Sequence, residues 1–238
     1  MKRFTDSPRN YRIIPTLLLA IFCMTTFFAF IPKAEAADTD VIGGHSAWAD
    51  EELQRACNEN LIPSKLYYSN LKQPVTRSEF SSITVRLIEE ATGETLPIGP
   101  LDVFYDTRDG DSLKLSNLGI INGFPDGSFR PDAKLTRQQS ARILTDCAIN
   151  LIGIKSFDIK VPSEYVFADD DQIGEWAHPD VYFMTGNGIL KGVGNNTFNP
   201  QGSTTREQAI IIALRTYSNY THMDRLSWLS NIKYKNFE

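Results

Sequence analysis

Apolar positions recur at helical spacing in three stretches of the chain: Phe80, Ile83 and Leu87; Ile143, Leu144, Cys147 and Ala148; Ile212, Ala213 and Tyr217. Each stretch shows a single apolar face, which predicts a helix buried on one side. Each also opens on Thr-Arg-x-Glu/Gln, as Thr76-Arg77-Ser78-Glu79, Thr136-Arg137-Gln138-Gln139 and Thr205-Arg206-Glu207-Gln208. Thr followed three residues later by Glu or Gln is a capping box, the reciprocal hydrogen-bond pair that starts a helix. Shorter helices are predicted around 48–60, 109–118 and 175–187. The connectors 92–103 and 153–166 carry Gly and Pro. No strand pattern dominates, although a short strand within 157–167 or at the tail would fit. Three one-faced helices can close around a shared axis, so the fold class predicted is mainly α.

What precedes each box repeats as well. At a constant offset of 69 residues, Gly119-Ile120-Ile121-Asn122-Gly123 matches Gly188-Ile189-Leu190-Lys191-Gly192, and Phe129-Arg130-Pro131 matches Phe198-Asn199-Pro200. Between them, Pro125-Asp126-Gly127-Ser128 and Gly194-Asn195-Asn196-Thr197 read as tight turns. The first copy is looser. It has Trp48-Ala49 and Leu61-Ile62-Pro63, but Ser64-Lys65-Leu66-Tyr67-Tyr68 stands in place of the Gly-rich turn. A repeat of this size is one supersecondary unit that needs its neighbours to bury its apolar face.

The capping box explains the Thr and the Glu or Gln, but not the Arg. A cation in the first helical turn opposes the macrodipole at a cost of about 0.3–1 kcal/mol. Three such placements predict an anion nearby, at helix N-termini whose free N–H groups already favour one.

The ordered strings at 119–139 and 167–208 resemble S-layer homology (SLH) repeats, and 46–93 resembles a divergent third. The resemblance implies a pseudo-threefold trimer within one chain, with helix-loop-helix repeats around a central three-helix bundle. The expected divisions are a signal peptide at 1–36, repeats at 44–93, 102–152 and 165–220, and a tail at 221–238. It further implies a non-catalytic wall-anchoring module on the surface of a bacterium. Grooves between adjacent repeats would bind secondary cell-wall polysaccharide bearing a pyruvate ketal on N-acetylmannosamine.

Under that resemblance Arg77, Arg137 and Arg206 supply the cation for the ketal carboxylate, with a bidentate fork. Gly123 and Gly192 permit close backbone approach. Trp48 and Trp176 offer ring faces to the sugar, and Asp106 and Asp169 take hydroxyls or orient the Arg. Each residue has a plainer alternative. The Arg residues would pair with Asp106, Asp169 or Asp50 and lock repeats together. The Trp residues would anchor helices in the core, the Gly residues would serve turns, and the Asp residues would cap short helices. The second copy lacks the Trp-Ala pair and the first lacks the Gly turn, so one or two working grooves are expected.

Composition fits export. Lys2, Arg3, Arg9 and Arg12 precede an apolar run from Leu17 to Ile31, and Ala34-Glu35-Ala36 reads as a cleavage site. The run is shorter than the ~20 residues needed to span a bilayer, so no membrane span is expected after cleavage. Cys23 follows the bulky Phe22, which argues against a lipid anchor. Removing five of 24 basic and two of 29 acidic residues leaves 19 against 27, a net charge of −8. That balance argues against nucleic-acid binding but not against a local anion site, because charges are screened over ~10 Å. Neither Cys57 nor Cys147 belongs to a C-x-x-C pair, and Cys147 on the apolar stripe reads as a buried thiol. His45, His178 and His222 fall in no ligand motif, and no paired carboxylates suggest a wall hydrolase. Asp169-Asp170-Asp171 with Gly174 and Asp180 matches a calcium loop poorly, since Ile173 takes a ligand position. No cofactor or metal is expected, and a monomer is. Docking to other wall or S-layer proteins, or directly to peptidoglycan, is the alternative to glycan binding.

Overall fold

The computed structural model describes residues 39–152 and 166–222. The predicted signal segment, the tail beyond 222 and the possible strand positions up to 165 lie outside them. Among the described residues six α-helices form: α1 (Asp50–Asn58), α2 (Arg77–Thr92), α3 (Gly110–Asn117), α4 (Arg137–Ile152), α5 (His178–Gly186) and α6 (Arg206–His222). Among the described residues β pairing is limited to isolated bridges. The protein is mainly α.

All three capping boxes close. Glu79, Gln139 and Gln208 donate their backbone N–H to the Thr76, Thr136 and Thr205 hydroxyls. Their side chains accept the N–H of the same threonines. Below the boxes the apolar stripes do what their spacing demands. Phe80, Ile83 and Leu87, then Leu144, Cys147 and Ala148, then Ile212 and Ala213 are all buried in one continuous core. Cys57 and Cys147 are both buried, and burial pushes the Cys147 thiol up.

The long helices α2, α4 and α6 each touch the other two. Every short helix packs on the long helix of the preceding repeat: α3 on α2, α5 on α4, and α1 back on α6. The segments leading into the long helices close a ring of main-chain bonds. The N–H of Val75 reaches the carbonyl of Thr204 at 2.9 Å, Thr204 reaches Leu135 at 3.0 Å, and Leu135 reaches Val75 at 3.2 Å. All three residues are buried. This ring satisfies backbone groups that no water can reach, and it brings each helix start against the next repeat.

The Gly-rich turns fold alike. In the second repeat Phe124 N–H bonds Ser128 O at 2.8 Å, and in the third Val193 N–H bonds Thr197 O at 2.8 Å. Gly123 and Gly192 precede these turns, yet neither has a left-handed φ. Their requirement is steric. A Cβ on Gly123 would lie 2.4 Å from the Phe104 ring, and one on Gly192 would lie 2.7 Å from the Thr197 carbonyl. These glycines make room for the protein's own atoms.

Candidate functional site

The helix starts do not offer free N–H groups. Arg77 and Ser78 donate theirs to Ala133 and Pro131, Arg137 and Gln138 to Gly202 and Pro200, and Arg206 and Glu207 to Gln73 and Leu71. With the capping boxes closed as well, the first-turn donors are saturated by the next repeat. The expected attraction of anions by helix N-termini is therefore corrected, and any anion must be met by side chains.

Two of the three arginines adopt one arrangement. Arg137 donates from Nε to Phe198 O at 2.7 Å and from Nη2 to Lys191 O at 2.6 Å, with its guanidinium 4.8 Å from the Phe198 ring centre. Arg77 does the same with Phe129 O at 2.8 Å, Asn122 O at 3.0 Å and the Phe129 ring at 4.8 Å. Both are buried, at 5 and 8 % exposure. Burial works against their charge, and Asp169 and Asp106 offset part of that cost from beyond bonding distance. Among the described residues neither has a carboxylate partner or a bond from Nη1, so part of each charge stays uncompensated.

Arg206 is different. Its Nε and Nη2 grip Glu79 at 3.1 and 2.5 Å, and Nη1 bonds Asn70 O at 3.1 Å. The expectation of an Arg206 open to an outside carboxylate is corrected by this inter-repeat ion pair, whose partner is none of the three acids expected. The cause lies in two departures of the first repeat. It lacks the Phe-x-Pro carbonyl, and its box ends in Glu79 where the others end in Gln139 and Gln208.

Asp106 and Asp169 serve the backbone. Asp106 accepts the N–H groups of Phe129 and Arg130 at 2.7 and 2.8 Å, and Asp169 those of Phe198 and Asn199 at 2.8 and 2.7 Å. They fix the segments whose carbonyls hold Arg77 and Arg137. Neither caps a short helix through its side chain, since Asp109 caps α3. The alternative of a core tryptophan fails for both Trp48 and Trp176, which are 58 and 52 % exposed. Trp48 sits on a turn held by Glu207, which accepts the Ser46 N–H at 2.8 Å, and Trp176 on one held by Gln138, which accepts the Gly174 N–H at 2.9 Å.

Part of this set meets in a cleft of about 470 Å³, which Arg77, Arg206, Trp176, Asp106, Asp169 and Gly123 do not line. Its walls bring together Trp48 from the first repeat, Arg137 from the second, and Lys191, Gly192, Val193 and Gln208 from the third. Glu52 and Arg215 complete the rim as an ion pair at 2.8 Å. With Glu52 engaged by Arg215, Arg137 and Lys191 leave the cleft positive inside an acidic chain. Three predicted residues, Arg137, Gly192 and Trp48, converge here. Lys191, Val193, Gln208, Glu52 and Arg215 were not singled out from sequence, although the 69-residue alignment already set Lys191 against Asn122 and Gln208 against Gln139.

A family model described as S-layer homology domain matches residues 113–141 and 166–210. Those two stretches are S-layer homology sequence. The matched residues take in Arg137 and the Lys191–Gln208 wall of the cleft. Among curated proteins, the chain is 28% identical over 197 residues to a surface-layer 125 kDa protein of Lysinibacillus sphaericus, covering 80% of this chain and 16% of that one. It is 26% identical over 151 residues to a cellulosome-anchoring protein of Acetivibrio thermocellus, covering 60% of this chain and 32% of the relative. It is 29% identical over 128 residues to an S-layer protein of Bacillus anthracis, covering 53 and 14%. The chain thus spans a third or less of the length of these relatives. In this chain the trace of repetition is the cyclic order itself, each arginine reaching the repeat that follows it.

Proposed function

We propose that this chain is a cell-surface anchoring module that holds acidic wall polysaccharide in the Arg137 cleft. Its ligand on this reading is secondary cell-wall polysaccharide with a pyruvate ketal. The observation that carries the proposal is the meeting of an uncompensated guanidinium, a lysine and an exposed indole in one cleft. A ketal carboxylate needs the cation, and the apolar face of a sugar needs the ring. The guanidinium is pre-oriented by two carbonyls, so little side-chain entropy remains to be lost on binding. The cleft's one carboxylate, Glu52, is held by Arg215, which fits a binding site and not acid–base chemistry. The names of the relatives, an anchoring protein and two surface-layer proteins, support the same reading.

The test is co-sedimentation of the chain from Ala37 onward with purified wall carrying its polysaccharide. Retention is expected, and chemical removal of the ketal pyruvate should abolish it. Trp48→Ala should weaken retention by about tenfold, equivalent to ~1.4 kcal/mol, with an unchanged melting temperature because the ring is exposed. Equal retention with or without pyruvate would refute the ketal as ligand. Retention by bare peptidoglycan would point to the sacculus instead.

A further inference from the structure

Trp48 is presented by a turn that has no side-chain cap of its own. The turn Ala47–Ala49 runs directly into α1, and neither Ser46 nor Ala49 caps through its side chain. Two other ties hold it. Glu207 accepts the Ser46 N–H at 2.8 Å and the Ser46 hydroxyl at 2.9 Å. His45 crosses the turn from the other side, with Nδ1 2.8 Å from the Gly43 carbonyl oxygen and Nε2 3.0 Å from Asp50 Oδ1. The ring thus joins the residues before and after Trp48. Its Gly43 end is fixed, because Leu71 donates its N–H to Gly44 O at 2.8 Å and a Cβ on Gly43 would lie 1.9 Å from Ser69 O. Its Asp50 end is fixed too, since Gln54 donates to the other carboxylate oxygen at 3.0 Å.

Both groups that face the ring nitrogens are acceptors, one a carbonyl and the other a carboxylate. Neutral imidazole carries one N–H, so one contact would set lone pair against lone pair; imidazolium carries two and satisfies both. The charged groups facing the ring are Asp50 of α1 and Glu207 of α6, both acidic. The Gly43 carbonyl holds the ring above the ordinary 6.5, burial opposes it, and Asp50 and Glu207 add to the rise. The matched turn of the third repeat gives the contrast. Gln138 accepts the Gly174 N–H as Glu207 accepts that of Ser46, but three residues before Trp176 stands the buried Ile173, which cannot titrate.

We infer that His45 is a positioning residue for glycan binding: its imidazolium braces the turn that sets Trp48 in the cleft wall, and loss of the proton loosens that turn and weakens the hold on the wall. The inference rests on the anchoring reading above. No histidine is among the cleft's described lining residues, so the ring acts through Trp48. A histidine whose folded value is raised contributes fully below its unfolded value and loses that contribution as pH rises through the folded one. The change therefore falls above about pH 6.5.

Two readouts test it: co-sedimentation of the protein with purified polysaccharide-bearing wall, and the indole N–H resonances followed through the His45 ring titration. From about pH 5.5 to about pH 8.5 retention should fall about three- to fivefold, a part of the tenfold assigned to the Trp48 ring. The Trp48 indole should shift with the His45 midpoint, and the Trp176 indole should not. Asp50→Asn is the sharpest variant. Its amide can donate to the Nε2 of a neutral His45 while still accepting from Gln54, so the brace survives deprotonation and retention should stay level across the range. His45→Gln should also give a level profile, and Trp48→Ala should remove the pH dependence. Melts at both pH values confirm that each variant is folded. A level profile in the unaltered chain, a Trp48 indole that ignores the His45 titration, or a pH dependence that persists in Asp50→Asn or Trp48→Ala would overturn the inference and leave the anchoring reading intact. No retention at any pH would overturn both.

Discussion

Replacing Arg206 by alanine should destabilise the protein rather than free a binding site. The guanidinium makes two charge-assisted bonds to Glu79 and one to Asn70 O, and the two side chains are only 18 and 17% exposed. An exposed pair contributes ~0–1 kcal/mol, whereas breaking a buried one costs ~3–5 kcal/mol. This pair lies between those limits, because Glu79 keeps the Thr76 N–H after the loss. A cost of about 2–3 kcal/mol follows, or a fall of about 5–10 °C in melting temperature for a domain of this size. Calorimetric melts of Arg206→Ala, Glu79→Gln and the double variant would measure the coupling directly. Glu79→Gln is the sharper single change, since it retains the cap acceptor. Burial raises the Glu79 carboxyl, but the bonds from Arg206 and Thr76 outweigh it and hold it below the ordinary 4.5. A depressed carboxyl contributes stability above its unfolded value that is lost as pH falls through the folded one. The variant's deficit should therefore be full at pH 7 and shrink below about pH 4.5. A melting shift under about 2 °C, or additive single effects, would refute the view that Arg206 is held by an internal partner.

Asp180 carries the opposite sign. Burial pushes its carboxyl up to about 6, opposed by Arg142 and reinforced by Asp146. Its charge therefore costs stability as pH rises from 4 to 7, and Asp180→Asn should raise stability at pH 7 by about 1–3 kcal/mol with little effect near pH 4. Arg142 keeps Asp146 at 2.9 Å in the variant, and melts across that pH range would check the sign. Asp169→Ala should cost about 2 kcal/mol in denaturant unfolding, because it orphans the buried N–H of Phe198 and releases the part-buried N–H of Asn199. It should also weaken wall retention, since the Phe198 carbonyl it positions is one that holds Arg137.

How far the sequence carried depends on how local the interaction is. The helices and their starts were legible because a capping box and an i, i+3, i+4 stripe involve residues within one or two turns. Trp48, Arg137 and Lys191 gave no such signal of meeting, because they come from three different repeats and converge only when the ring of Val75, Leu135 and Thr204 closes. The helix-start N–H groups looked free from sequence for the same reason: their acceptors belong to the next repeat.

By itself the sequence determined three amphipathic helices, the residue that opens each, and an arginine in each first turn that the helix alone does not want. Only the tertiary structure decided what each arginine meets. The partners lie 45, 54 and 127 residues away along the chain, at Asn122, Lys191 and Glu79. A guanidinium reaches several ångströms beyond its own helix, so its fate is set by whichever atoms the neighbouring repeat places there. A carboxylate for Arg206, and a pair of carbonyls under an aromatic ring for Arg77 and Arg137, are two answers to the same local motif.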